Sequence, residues 1–149
     1  MRRGFTIVEL LVVIGLIMVM TALSVSFSFN YLRRHQLDYS GQILVTEIQT
    51  ARSQSLAQAD NAAHGIAIFP DHVIRFVGDS YATRVAAQDV RTDFFGSFTV
   101  SGNTEIIFPK GQANPSSAAT VTLQDSQNFI SLNLSAYGVS ELSQGLLQP

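Results

Sequence analysis

The first thirty residues of the chain are almost entirely apolar. From Gly4 to Leu32, Glu9 is the one charged residue. A helix needs about 20 apolar residues to cross a bilayer, so the pattern predicts a membrane-spanning segment at residues 5–31. A carboxylate inside hydrocarbon costs roughly 2.5 to 3.5 kcal/mol. Glu9 therefore marks a site whose charge requires a partner.

A helical spacing of apolar residues continues after this segment. Intervals of seven, four and three residues separate Leu37, Leu44, Ile48 and Ala51. This spacing predicts an amphipathic helix from Gln36 to about Ala59, with one apolar face. Because the first proline is Pro70, we expect one continuous helix at 5–62, made of a membrane-spanning half at 5–31 and an amphipathic half at 32–62.

From residue 63 onward the apolar residues alternate with polar ones, as is typical of strands. Two hairpins are predicted, one from His64–Phe69 and Val73–Val77, the other from Thr120–Leu123 and Phe129–Leu134. Further strands are expected at 86–90, 94–100, 105–108 and 138–140, and a frayed tail at 143–149. The predicted fold class is α+β, a long N-terminal transmembrane or filament helix packed on a small antiparallel β-domain at 63–149.

Composition excludes several classes of function. The chain has no cysteine, and from His35 onward it carries ten acidic and five basic residues, which is opposite to the charge of a nucleic-acid binder. His35, His64 and His72 do not have the spacing of a zinc site, and we expect His64 and His72 on the surface of their hairpin. No P-loop, dinucleotide or serine-nucleophile motif occurs. We therefore expect no enzymatic activity, no cofactor and no metal.

The chain begins with a short basic leader, Met1-Arg2-Arg3, followed by Gly4-Phe5-Thr6-Ile7-Val8-Glu9-Leu10-Leu11. This stretch resembles the processing signal of type IV prepilins and type II secretion pseudopilins. The resemblance implies that a prepilin peptidase cleaves after Gly4, so that residues 1–4 are a leader peptide, and that Phe5 is then N-methylated. It also implies that Glu9 pairs with the terminal amine of a neighbouring subunit during filament assembly.

Segments of the second half add to this resemblance. They are residues 64–68, 106–111, 121–123, 130–132 and 137–139. Together they resemble the β-domain of the type II secretion pseudopilin H and its type IV minor pilin relatives. The implied function is that of a minor pilin or pseudopilin, a structural subunit of a type II secretion pseudopilus or a type IV pilus. The alternative is a DNA-uptake minor pilin, although residues 138–149 contain Glu141 and no Lys or Arg.

The resemblance also implies partners and a location. The expected partners are other pilin or pseudopilin subunits, the prepilin peptidase and an inner-membrane assembly platform, and nucleic acid is not expected. The expected location is the inner (plasma) membrane, crossed once, with the C-terminal domain on the periplasmic side before incorporation into the filament.

Three other interpretations of the apolar stretch remain open. A signal peptide has a short apolar core, whereas this run is long and its polar residue precedes the core. A plain single-span anchor leaves Glu9 without a role. A buried helix of a soluble core is disfavoured because the run approaches membrane length.

Overall fold

The structure is a computed structural model and describes residues 6–146, apart from the side chains of residues 23–30. One long helix, α1 (Ile7–Leu56), is followed by strands. The strands are β1 (His64–Ile68), β2 (His72–Val77), β3 (Val90–Asp93), β4 (Thr99–Gly102), β5 (Glu105–Phe108), β6 (Ala119–Gln124), β7 (Asn128–Leu134) and β8 (Ser140–Leu146). The chain forms two compact units, Met1–His35 and Gln36–Pro149.

The strands form two four-stranded sheets. The first sheet has the order β3-β2-β1-β5 and the second has the order β4-β6-β7-β8. Each pairing is antiparallel, and hairpins join β1 to β2 and β6 to β7. The pairings of β1 with β5 and of β4 with β6 join strands that are distant in the sequence. Alternating side chains of β6 and β7 are buried, which leaves one face of the second sheet for the core.

One hydrophobic core joins the second half of α1 to both sheets. The helix contributes Leu37, Leu44, Ile48 and Ala51. The first sheet adds residues such as Ile66 and Phe108, and the second sheet adds residues such as Leu132. Gly41 lets the helix approach closely, because a Cβ there would lie 2.8 Å from the Cδ1 of Ile130. The apolar stripe predicted from the helical spacing is therefore confirmed as a core face.

The other face of the first sheet is covered by the loop that follows β2. Phe76 is fully buried, and its ring lies 5.6 Å from that of Tyr81. The Tyr81 backbone N–H donates to Glu105 Oε1 at 2.7 Å, which ties the loop to β5. The guanidinium of Arg84 lies 3.7 Å from the centre of the Tyr81 ring. Both faces of β1 are consequently covered, which explains why all five of its residues are buried.

The predicted fold class is wrong in its membrane-spanning helix. Within the described part of the chain, no helix is long and apolar enough to cross a membrane. The predicted span at 5–31 and the single-pass inner-membrane location are both corrected by this finding. The packing of α1 on the β-domain is also only partial, because the buried residues of the helix that the structure describes lie between Leu37 and Ser55.

The strand predictions had mixed outcomes. Both predicted hairpins and the strand at 105–108 are confirmed. The strand predicted at 86–90 is instead a 3₁₀ turn at Ala86–Gln88 followed by β3. The prediction at 94–100 is wrong for its first part, because β4 begins at Thr99. The prediction of a frayed tail at 143–149 is wrong for residues 143–146, because β8 pairs with β7 along its whole length.

Candidate assembly site at the start of the helix

Thr6 caps the start of α1. The backbone N–H of Glu9 donates to Thr6 Oγ1 at 3.2 Å, and the N–H of Leu10 donates to the Thr6 carbonyl at 3.2 Å. Thr6 and Glu9 stand at the spacing of a capping box, in which a Thr begins the helix and a Glu follows three residues later. A carboxylate in the first turn also interacts favourably with the helix dipole. By its position in the first turn, the charge of Glu9 favours the start of the helix.

The first turns of α1 expose apolar side chains on every side. The exposed fractions of the large apolar side chains from Ile7 to Met20 lie between 42% at Ile14 and 80% at Ile7. Because successive helical residues are 100° apart, the four consecutive residues Leu10 to Val13 already surround the axis. A helix that is apolar all round is normally buried. This segment therefore needs a cover of comparable apolar character.

Glu9 lies on this apolar segment and is itself exposed. The structure thus brings together two parts of the predicted site, the carboxylate and the apolar surface beside it. The other predicted site residues, Gly4 and Phe5, lie outside the described residues. The capping role of Thr6 was missed in the sequence, although the Thr6-Ile7-Val8-Glu9 pattern carries the signal.

A second polar cluster lies between α1 and the first sheet. Arg75 donates from Nη1 to Glu47 Oε2 at 2.5 Å, and the side chains of this pair are 16% and 12% exposed, respectively. Thr92 donates from Oγ1 to Glu47 Oε1 at 2.8 Å. Both oxygens of the carboxylate are thereby satisfied by side chains of β2 and β3. This arrangement fixes the helix against the sheet.

The histidines differ from the prediction. His64 is 1% exposed, with Nε2 lying 3.0 Å from the Ala59 carbonyl oxygen. His72 is half-buried, stacks on Phe69 with ring centres 4.6 Å apart, and lies 2.7 Å from Asp71 Oδ1 through its Nδ1. The prediction that both lie on the hairpin surface is wrong, because His64 is buried beside the turn that follows α1 and the Phe69 ring stacks on His72. Among residues 6–146, no three candidate ligand side chains are grouped to hold a metal.

Three ion pairs on the surface of the domain shift pKa values. The hydrogen bond from His72 lowers the pKa of Asp71 below its usual 3.8. The hydrogen bonds to Asp89 and Asp93 raise the pKa of Arg84 and of Arg91, respectively.

The basic side chains of the second unit are all engaged with acceptors inside it. Arg75, Arg84 and Arg91 contact carboxylates. Arg52 donates to the Ala113 carbonyl at 2.8 Å, and Lys110 donates to Asn61 Oδ1. Nucleic-acid binding depends on cations that are free to neutralise phosphates. This pairing gives no support to the DNA-uptake alternative.

Comparison of the chain with protein-family models, with curated proteins and with solved structures finds no match.

Proposed function

We propose that this chain is a structural subunit of a filament of the minor pilin or pseudopilin type, and that it assembles through the start of α1. The observation that carries the proposal is the exposed apolar surface from Ile7 to Met20 with one carboxylate, Glu9, near its head. The resemblance of residues 1–11 to a prepilin signal supports the same function. The second unit, with its hydrophobic core, then serves as the outer domain of the subunit.

Apolar contacts between sister helices supply the driving force in this proposal. Burying a large aliphatic side chain is worth about 1.5 to 3 kcal/mol relative to leaving it exposed. Side chains such as Leu10, Leu11 and Ile17 are more than half exposed in the free chain. Bundling with like helices covers them on all sides, which a single flat partner surface does not do.

Glu9 sets the register of the bundle. A buried carboxylate without a partner is costly, whereas a close opposite charge offsets much of that cost. The partner that we propose is the terminal amine of Phe5 in a neighbouring copy, released when prepilin peptidase cuts after Gly4. Many axial offsets between two helices give similar apolar contacts. Only one offset brings Glu9 to the terminal amine of the neighbouring copy, so the charge pairing selects that offset.

The experiment compares two substitutions at Glu9 in the full chain, expressed with its assembly machinery. Glu9→Gln removes the charge but keeps a residue that suits the third position of a capping box. Glu9→Leu removes the charge and also the residue type that suits a capping box. If charge sets the register, both variants are incorporated into sheared filaments at least tenfold less than wild type. If Glu9→Gln is incorporated like wild type, the pairing role is wrong and Glu9 acts only in starting the helix.

Processing is tested separately through Gly4. A small residue before the scissile bond is expected to be required, so Gly4→Leu should retain the leader, with Gly4→Ala as the milder control. Intact-mass measurement reports whether residues 1–4 are present and whether Phe5 is methylated. A Gly4→Leu protein that still begins at Phe5 would contradict the assignment of this cleavage site.

A further inference from the structure

The strand β8 forms the one long open edge among the described sheets. The other three edge strands, β3, β4 and β5, have four residues each, whereas β8 has seven. The outer side of β5 is further covered, because Ser116 donates its backbone N–H to the Ile107 carbonyl at 2.8 Å. The pairing of β8 with β7 is unbroken from Ser140 to Leu146, without a bulge. Proteins normally protect a long regular edge with bulges, prolines or charged side chains, lysine above all, and of these β8 contains only Glu141.

Exposed apolar side chains are concentrated at this edge. From residue 36 to residue 146, nine large hydrophobic side chains are exposed, and four of them lie within ten residues of chain at β8. These four are Tyr137, Val139, Leu142 and Leu146, with exposed fractions of 77%, 64%, 38% and 68%. An apolar cluster beside unpaired backbone groups is typical of an interaction surface.

We propose that β8 pairs antiparallel with β8 of a second copy of this chain, across a two-fold axis at Ser143. Full overlap of the seven residues places Ser140 opposite Leu146 of the second copy and Ser143 opposite Ser143. The second sheet of one copy and the second sheet of the other thereby become one continuous eight-stranded sheet.

The charges and side chains of β8 suit this register. Glu141, its one charged residue, lies opposite Gly145 of the second copy, so that no like charges face each other. Leu142 lies opposite the buried Leu132 of its own sheet, and cross-strand partners share a face. In the proposed dimer, Leu142 of one copy has Leu142 and Leu146 of the second copy as its diagonal neighbours. The apolar side chains of both copies consequently join on one face.

A two-fold contact of this kind is closed, because each copy uses the one long edge found among its described strands. It links two subunits and does not extend into a fibre. It is independent of α1, so that it adds to the association proposed for the helix and can be tested apart from it.

The absence of cysteine from the chain permits a direct test. Residues directly opposite in antiparallel strands have Cα atoms about 4.5 to 5.5 Å apart, which suits a disulfide. Ser143→Cys in the full chain should therefore form a disulfide-linked dimer under mild oxidation, read on a non-reducing gel. Combining Ser143→Cys with Glu9→Gln should leave the yield of dimer unchanged, which separates this contact from helix-driven association.

The matched control is Ser140→Cys on the same strand. In the proposed register the two Ser140 Cα atoms lie about 20 Å apart, six residues at about 3.3 Å each, and no disulfide can form. A mixture of Ser140→Cys and Leu146→Cys chains should instead give a dimer of one of each. Equal dimer yields from Ser143→Cys and Ser140→Cys, or no dimer from Ser143→Cys, would overturn the proposal.

Discussion

Removing the carboxylate of Glu47 should destabilise the second unit strongly. The carboxylate receives two hydrogen bonds, from Arg75 at 2.5 Å and from Thr92 at 2.8 Å. The side chains of the charged pair are only 12% and 16% exposed. Breaking a buried pair typically costs 3 to 5 kcal/mol, because one charge is left without a partner. With this residual exposure we expect about 3 kcal/mol for Glu47→Ala.

Two control variants separate the parts of this effect. Thr92→Val removes one neutral donor and should cost about 1 kcal/mol. Replacing both charged partners, Glu47→Leu with Arg75→Met, leaves no isolated charge and should recover most of the loss. Urea unfolding of the full chain, followed by tyrosine fluorescence, should place the Glu47→Ala midpoint roughly 1 to 2 M below wild type. A double variant no more stable than Glu47→Ala would refute the argument that the unpaired charge causes the loss.

Two further predictions concern a tight turn and a surface ion pair. Gly102 has φ of +89°, and a Cβ there would lie 2.1 Å from the Thr120 carbonyl oxygen. Gly102→Ala should lower the free energy of unfolding by more than the roughly 1 to 3 kcal/mol of backbone strain alone. At Gly111, φ is +72° and the nearest atom to an added Cβ is 3.4 Å away, on the flexible Gln58 side chain. Gly111→Ala should therefore show the cost of the backbone strain without a clash. For Asp71, whose pKa is lowered by the hydrogen bond from His72, the stabilisation is present above the carboxyl's unfolded pKa and is lost as pH falls through the lower folded pKa. The stability advantage of wild type over Asp71→Asn should therefore shrink below about pH 3.8.

Each of these two predictions has a clear counter-result. Equal urea midpoints for Gly102→Ala and Gly111→Ala would show that the close approach to Thr120 is relieved without cost. A stability difference between wild type and Asp71→Asn that stays constant from pH 7 to pH 2.5 would show that the carboxylate bond to His72 does not contribute.

The parts of the fold that could be predicted from the sequence are those with a regular period. The spacing of Leu37, Leu44 and Ile48 predicted the buried face of α1, and the alternation in β6 and β7 predicted their hairpin and its inward residues. Sheet order could not be predicted, because the pairings of β1 with β5 and of β4 with β6 depend on contacts between distant segments.

The errors arose where burial and strand structure do not coincide. Phe94 and Phe98 are buried, but their backbone N–H groups donate to the carbonyls of Asp71 and Pro70, so this segment packs without extending β4. Most of β8 was not predicted, because an exposed edge strand shows no alternation of apolar and polar residues. At the candidate site, Thr6 Oγ1 accepts the backbone N–H of Glu9, so the Thr6-Ile7-Val8-Glu9 pattern starts the helix as well as supplying the carboxylate.

The most direct test of the central claim is a zero-length cross-link at Glu9. A carbodiimide joins a carboxylate to an amine only when the two are in contact. Filaments grown from a mixture of isotopically light and heavy chains should yield, after digestion, a peptide that joins Glu9 of one copy to the Phe5 amine of another. Filaments in which Glu9 is never linked to the Phe5 amine, or in which the chain still begins at Met1, would contradict the account.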